Sequence, residues 1–395
     1  LVFGGAQHVL MSAPTRSGKG VGIVIPNLLY WEESVVVLDI KQENWRITSR
    51  YRAKALKQSC YLFNPAAGDG RSHRYNPLAY IERKDPGKRM DDVQKIASML
   101  FPDRDGTDVI WTATPRALFT GIVSSLLDRE GEDGAPPVTM GQVLRESLKE
   151  GDGAEYFERL MEERRSLKKP LSQAAEMGLG SYISIKSENT RAGVVGSFRS
   201  RLEIWLNPLV DAATSDNDFD LRKLRTECMS VYIGVTPDNL ERMGPLLNLF
   251  FQQLIDLNTR SLPGYGEKGK VQCLLLMDEF SSLGKVSILN KGIAYIAGYG
   301  LRMLPIIQSP SQLIDVYGRD AAQTFQSNHA VSIIFPPKAS ETQTARDISE
   351  WLGYDTVTST SRSRGLGVFL KNRSMSESQS DQRRALLLPQ EITGL

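Results

Sequence analysis

The stretch "APTRSGKGVG", residues 13–22, decides how the rest of the chain is read. It follows the phosphate-binding pattern G-x-x-x-x-G-K-[ST] with two departures. Ala13 stands where the first glycine is expected, and Gly20 stands where the hydroxyl is expected. A phosphate cradle needs converging backbone N–H groups, a helix N-terminus behind them and a lysine. Ser17 and Gly18 supply the turn, Lys19 opens the helix, and Ala13 is small enough to begin the bend. Pro14, Thr15, Arg16, Ser17, Gly18, Lys19 and Gly20 are therefore the candidate nucleotide-binding loop. The missing hydroxyl at Gly20 leaves a magnesium ion to Thr15, Ser17 or water.

Outward from the loop, the pattern alternates. An apolar run at 8–13 reads as a strand, and a helix is expected over 19–30. "SVVVLDIK" (34–41) is apolar and β-branched, as in a strand buried on both faces of a parallel sheet. A helix at 43–57 and a strand at 60–63 come next. Over 88–221 strand-like runs give way to helical ones, including "TPRALFTGIVSSLLDRE" and "GAEYFERLMEERRSL". Strand character returns at 229–236, with a helix at 237–258 behind it. "VQCLLLMDEF", "LRMLPIIQ" and "AVSIIFPP" then read as three more buried strands. The expectation is an α/β domain in two parts, 1–87 and 222–395, interrupted by an all-α domain at 88–221. The Ser/Arg-rich stretch near the C-terminus reads as a hairpin or loop.

The second half of a nucleotide site should be an acid pair ending a buried strand, and "CLLLMDEF" provides it. Asp278 is the candidate magnesium ligand, and Glu279 the candidate that polarises the attacking water. Asp39 ends the strand after the loop helix, where a dinucleotide-binding fold keeps its ribose acid. The loop lacks G-x-G-x-x-G, so Asp39 is placed near the γ-phosphate as a secondary acid. Gln308 ends the strand after the acid pair, where its amide could sense that phosphate. His8, His73 and His329 show no ligand spacing and read as core or surface histidines.

Composition narrows the class. The chain has 395 residues, 41% hydrophobic and 24% charged, ordinary for a globular protein with ample core. A net charge of +2 is too mild for a nucleic-acid-coating protein but allows a local basic groove. Three cysteines, Cys60, Cys228 and Cys273, lie far apart and suggest neither a disulfide framework nor a zinc site. The longest nearly apolar run, 21–31, is far short of the roughly 20 residues a membrane span needs. The opening "LVFGGAQHVL" lacks a methionine and reads as the start of an excised piece of something longer, which leaves room for an N-terminal anchor.

"APTRSGKGVGIVIPNLL", "VVVLDIKQE", "FNP" (63–65), "YNPL" (75–78), "LLLMDEFSSLGK", "IIQSPSQL" and "LLLPQEI" together resemble the TraG/VirD-type coupling proteins of type IV secretion and conjugation. The match runs along almost the whole chain, and a Gly-Lys-Gly ending of the loop is common in that family. The resemblance implies a RecA-like P-loop ATPase domain with a largely parallel sheet and an inserted all-α domain. It implies a hexameric ring at the cytoplasmic face of the bacterial inner membrane, the fragment alone being monomeric in dilute solution. The activity implied is DNA-dependent ATP hydrolysis with Mg2+. The implied partners are single-stranded DNA, a relaxase or effector cargo, channel ATPases and inner-membrane components. By the same resemblance Lys19 is the phosphate lysine, Asp278 and Glu279 are the magnesium and water-activating acids, and Gln308 is the sensor. Some relatives place a trans-acting arginine where this chain has Ala297, and Arg302 is the nearest substitute.

Three readings stand at this point: a secretion coupling ATPase, another ring DNA translocase, or a nucleotide-gated docking platform. DNA-stimulated turnover separates the first two from the third. The basic stretches 362–373 and 268–270 are the candidates for gripping DNA.

Overall fold

Strand β2 (Ser34–Leu38) explains the architecture best, because all five residues are buried and so need cover on both faces. It lies mid-sheet, parallel to β4 (Met229–Ile233) on one side and β5 (Cys273–Met277) on the other. The structure, a computed structural model, describes residues 5–395 apart from 104, 105, 107, 150, 152, 264–270 and 365–374. With β1 (His8–Ser12), β3 (Ser59–Phe63), β6 (Leu301–Ile307) and β7 (His329–Ile334) these strands form one seven-stranded sheet. Its order is β3-β4-β2-β5-β6-β1-β7, and every pairing is parallel.

Alternation along the strands feeds two cores. Val36 and Leu38 enter the larger one, and Val35 and Val37 the smaller one with Val24 and Leu28. Full burial of each such side chain is worth about 1.5–3 kcal/mol. Helices α1 (Ile25–Tyr30) and α2 (Glu43–Lys54) come after β1 and β2. The helix expected over 19–30 opens as a wide π turn, Gly20–Val24. Pro26 explains the widening: without an N–H it cannot bond to the carbonyl four residues back.

Between β3 and β4 the described residues form no strand. The chain runs through α3 (Pro86–Leu100), α4 (Ile110–Arg129), α5 (Met140–Ser147), α6 (Ala154–Ser166), α7 (Gln173–Ile183), α8 (Glu188–Leu202) and α9 (Pro208–Ala213). Helices α4 and α7 cross at Gly121 and Gly178 with almost no space between backbones. A Cβ on Gly121 would lie 2.6 Å from the Leu179 nitrogen, and one on Gly178 would lie 2.6 Å from the Ala117 carbonyl. The excursion closes on itself at a neck. Arg74 pairs with Asp218 at 2.7 Å and Asp216 at 3.1 Å, Tyr75 N donates to the Ala213 carbonyl, and Asn76 N donates to Asn217.

Past β4 come α10 (Pro237–Asn258), α11 (Ser287–Ile296), α12 (Pro310–Tyr317), α13 (Arg319–Ser327) and α14 (Thr342–Leu352). The Ser/Arg-rich stretch is an antiparallel two-stranded ribbon, β8 (Tyr354–Arg364) with β9 (Met375–Ala385), before a short α15 (Pro389–Thr393). Of the two basic stretches proposed for DNA, 268–270 lies wholly and 362–373 mostly outside the described residues. Among the described residues no helix is long and apolar enough to cross a membrane.

Candidate active site

Four neighbouring strands, β2, β5, β6 and β1, end along one edge of the sheet. Parallel order therefore gathers the residues just beyond those strand ends: Asp39, the Asp278–Glu279 pair, Gln308 and the loop from Ala13. Gly18 turns the loop with φ 83°, a conformation that suits glycine. Arg16 (φ 65°) and Glu279 (φ 60°) are also left-handed. Such strain costs about 1–3 kcal/mol per residue and collects at functional sites.

Lys19 lies between the two acids, its Nζ 3.1 Å from Asp278 Oδ1 and 3.0 Å from Glu279 Oε1. The chain of contacts continues outward. Gln308 donates from Nε2 to Glu279 Oε2 at 2.9 Å, and Thr15 Oγ1 donates to Gln308 Oε1 at 3.3 Å. Burial alone would lower the Lys19 pKa, but the charge of Asp278 and the hydrogen bond and charge of Glu279 outweigh it and hold it above its ordinary value. Burial works against the Glu279 carboxylate too. The hydrogen bonds from Gln308 and Lys19, with the Lys19 charge and that of Lys41 behind it, still hold its pKa below the ordinary one.

Two buried oxygens show what the site could accept. Asp278 Oδ1 makes no hydrogen bond beyond its charge contact with Lys19, and Ser17 Oγ has no hydrogen-bond partner. A Cβ on Gly20 would meet nothing within 4 Å, so open space lies where a hydroxyl-bearing residue would stand. A cation, a carboxylate oxygen held only by that cation and a loop of turned N–H groups make a donor set fit for phosphate and a hard divalent ion.

A family model described as type IV secretory system conjugative DNA transfer matches residues 2–395. The chain belongs to that family. Within the conjugative DNA transfer family, a VirD4 protein of Rhizobium radiobacter is 36% identical over 394 residues, 99% of this chain. A conjugal transfer protein TraG of Escherichia coli is 31% identical over 407 residues, 98% of this chain. The chain spans 54% and 61% of their lengths. Among solved structures, the unbound bacterial conjugative coupling protein TrwBdeltaN70 superposes with a TM-score of 0.67 at 21% identity. That match covers 99% of this chain and 80% of the other. The plasmid coupling protein TrwB in complex with ADP and Mg2+ gives 0.65 at 21% identity, with the same coverage. The fold of this family member is accordingly α/β and RecA-like.

Two further expected residues are engaged in other contacts. Asp39 is buried, and its carboxylate accepts from Trp45 N at 2.7 Å and Asn44 N at 3.3 Å, capping α2. Burial, against those two bonds and with the Asp278 charge, pushes its pKa up to about 6. Arg302 is the second residue of β6, at the opposite end of the strand from Gln308. Its guanidinium bonds the Gly5 carbonyl and lies 5.8 Å from the Trp31 ring centre, so it does not join the cluster. His8 and His329 are buried side by side, 5.7 Å between ring centres, as core histidines.

Two further residues bear on the site. Lys41 is exposed just beyond β2, and its signal was its place beside the acid-bearing strand. Arg52 is fully buried and bonds the Leu28 and Trp31 carbonyls at the end of α1, as well as Ser230 and Gln58. It ties the helix behind the loop to α2 and β4, and an arginine in an otherwise ordinary helix gave no signal.

Proposed function

We propose that the chain is the ATP-hydrolysing part of a type IV secretion coupling protein, which recruits relaxase-bound single-stranded DNA or protein cargo and drives or gates its transfer. The observation that carries this reading is the sharing of Lys19 between Asp278 and Glu279, with Gln308 and Thr15 extending the same line of contacts. ATP would enter as substrate along the loop 14–20. Lys19 would leave the carboxylates for the β- and γ-phosphates, a contact worth roughly 1.5–3 kcal/mol. Glu279, still held by Gln308, would polarise the attacking water. Asp278 would hold Mg2+, whose contribution when bound is to neutralise charge on the phosphates. Thr15, whose hydroxyl donates to Gln308, is the proposed further ligand. Asp39 would act on the site through α2, which it caps.

The wider reading rests on family membership. The full-length protein is proposed to sit at the cytoplasmic face of the bacterial inner membrane as a homo-hexamer, working with channel ATPases and inner-membrane components. The helical segment 88–221 is proposed as the cargo-recognition domain, inserted between the two parts, 1–87 and 222–395, of the motor. Any trans-acting arginine is sought at Arg302 first, which would have to release Gly5 and Trp31 to serve.

The test is ATP hydrolysis measured against protein concentration, with and without single-stranded DNA, for the wild type and Lys19→Ala. Turnover that DNA stimulates and Lys19→Ala abolishes is expected. Turnover unaffected by the substitution refutes the site. A chain that binds nucleotide but ignores DNA points to a docking platform instead.

A further inference from the structure

Arg16 stands in the middle of the loop with left-handed backbone, where glycine or asparagine would sit with less strain. Its side chain is exposed, and among the described residues its guanidinium has no hydrogen bond or ion pair. Two carboxylates lie at the same site, yet both turn to Lys19. A guanidinium within their reach would take them bidentately, so Arg16 stands clear of the acid pair. The residue before it, Thr15, donates to Gln308, which donates to Glu279. Arg16 therefore follows directly on the residue whose hydroxyl joins the line from Glu279 and Gln308, the line beside which the bond to the terminal phosphate would break. Other arginines are held elsewhere: Arg302 on Gly5 and Trp31, Arg383 over the Tyr354 ring at 3.9 Å, and Arg384 on Glu391 at 2.9 Å.

We propose that Arg16 grips the terminal phosphate of a bound nucleoside triphosphate and is the contact by which the site tells triphosphate from diphosphate. This rests on the nucleotide reading of the site. The planar fork of a guanidinium matches two phosphate oxygens, and a diphosphate offers it no terminal group at that place. The strained backbone is then the cost of holding a cation where a glycine would leave open water.

The experiment compares wild type, Arg16→Ala, Arg16→Gly, Arg16→Lys and Lys19→Ala in titrations with fluorescent ADP and a non-hydrolysable fluorescent ATP analogue, both with magnesium. Arg16→Ala and Arg16→Gly should weaken the triphosphate about tenfold or more and leave the diphosphate within about twofold, with Arg16→Lys recovering part of the loss. The glycine variant suits the left-handed backbone, so misfolding cannot mimic the result. Equal weakening of both nucleotides, or none, overturns the proposal. So does a loss of turnover seen only in concentrated protein with both affinities unchanged, because Arg16 would then serve a neighbouring copy. Lys19→Ala that binds both nucleotides like wild type refutes the nucleotide reading itself, whatever Arg16 does.

Discussion

Replacing Glu279 with glutamine should tighten nucleotide binding while nearly stopping hydrolysis. Lys19 is held by two carboxylates at 3.0 and 3.1 Å, and incoming phosphate must compete with both. A unit charge pair at 3 Å is worth about 5 kcal/mol before solvation at an effective dielectric of 20. Lys19 and Glu279 are only 14% and 18% exposed, so most of that is offset by the desolvation of both charges. A net release of about 1–2 kcal/mol is the reasonable expectation, or roughly 5–30-fold tighter ATP binding. Glutamine keeps an oxygen for the Gln308 amide, so the line of contacts survives. Without its charge the residue would lose the proposed hold on the attacking water, and the rate should fall by about 10²–10⁴. Fluorescent-nucleotide titration and steady-state phosphate release measure the two effects on one preparation. A Glu279→Gln protein that binds ATP more weakly and turns over normally would show that Lys19 is not exchanged between acids and phosphate.

Two further outcomes concern stability. Gly121→Ala forces a methyl group against the α7 backbone and should cost about 1–3 kcal/mol in thermal or urea unfolding; unchanged stability would mean that the helices separate freely at the crossing. Burial lowers the His329 pKa to about 4, against the bond to the Phe325 carbonyl and with His8 adding to the fall. The unfolded chain therefore takes up this proton first as pH falls from the ordinary value, so stability is lost between about pH 6.5 and 4, by about 2–3 kcal/mol. His329→Asn, which places an amide nitrogen near the Phe325 carbonyl, should flatten that part of the pH–melting profile, and an equally steep profile would assign the acid sensitivity to other groups.

Much of the fold is readable in the chain because parallel strands buried on both faces have to be apolar throughout. "SVVVL" and "CLLLM" can hardly be anything else, and the acids that end such strands share one edge by topology alone. Position within a strand carries equal information and is easily neglected. Arg302 is near the acid pair in sequence, but it lies at the start of its strand and Gln308 just past the end, so the two are far apart. Asp39 reads as a site acid, and its spacing before α2 carries a second message: it precedes the helix by the few residues that let its carboxylate meet free N–H groups. The π turn behind the loop depends on what Pro26 cannot do, an absence that residue preferences do not register. The Lys19 partnership with both acids was not readable, since it depends on side chains separated by about 260 positions meeting across two strands.

The neck at Arg74 and Asp218 has a consequence for how the chain comes to be folded at all. β3 and β4 are direct neighbours in the sheet, yet the whole helical excursion separates them in sequence. Their pairing is a contact of very high sequence separation, and closing so long a flexible loop is slow. Once α3 to α9 have packed and the neck has clasped, the same two strands are effectively joined by a short bridge. A clasped neck would therefore shorten the loop that pairing of β3 with β4 has to close. Damage deep in the helices, as at the Gly121 crossing, would then be felt as slower pairing of β3 with β4 at the edge of the sheet.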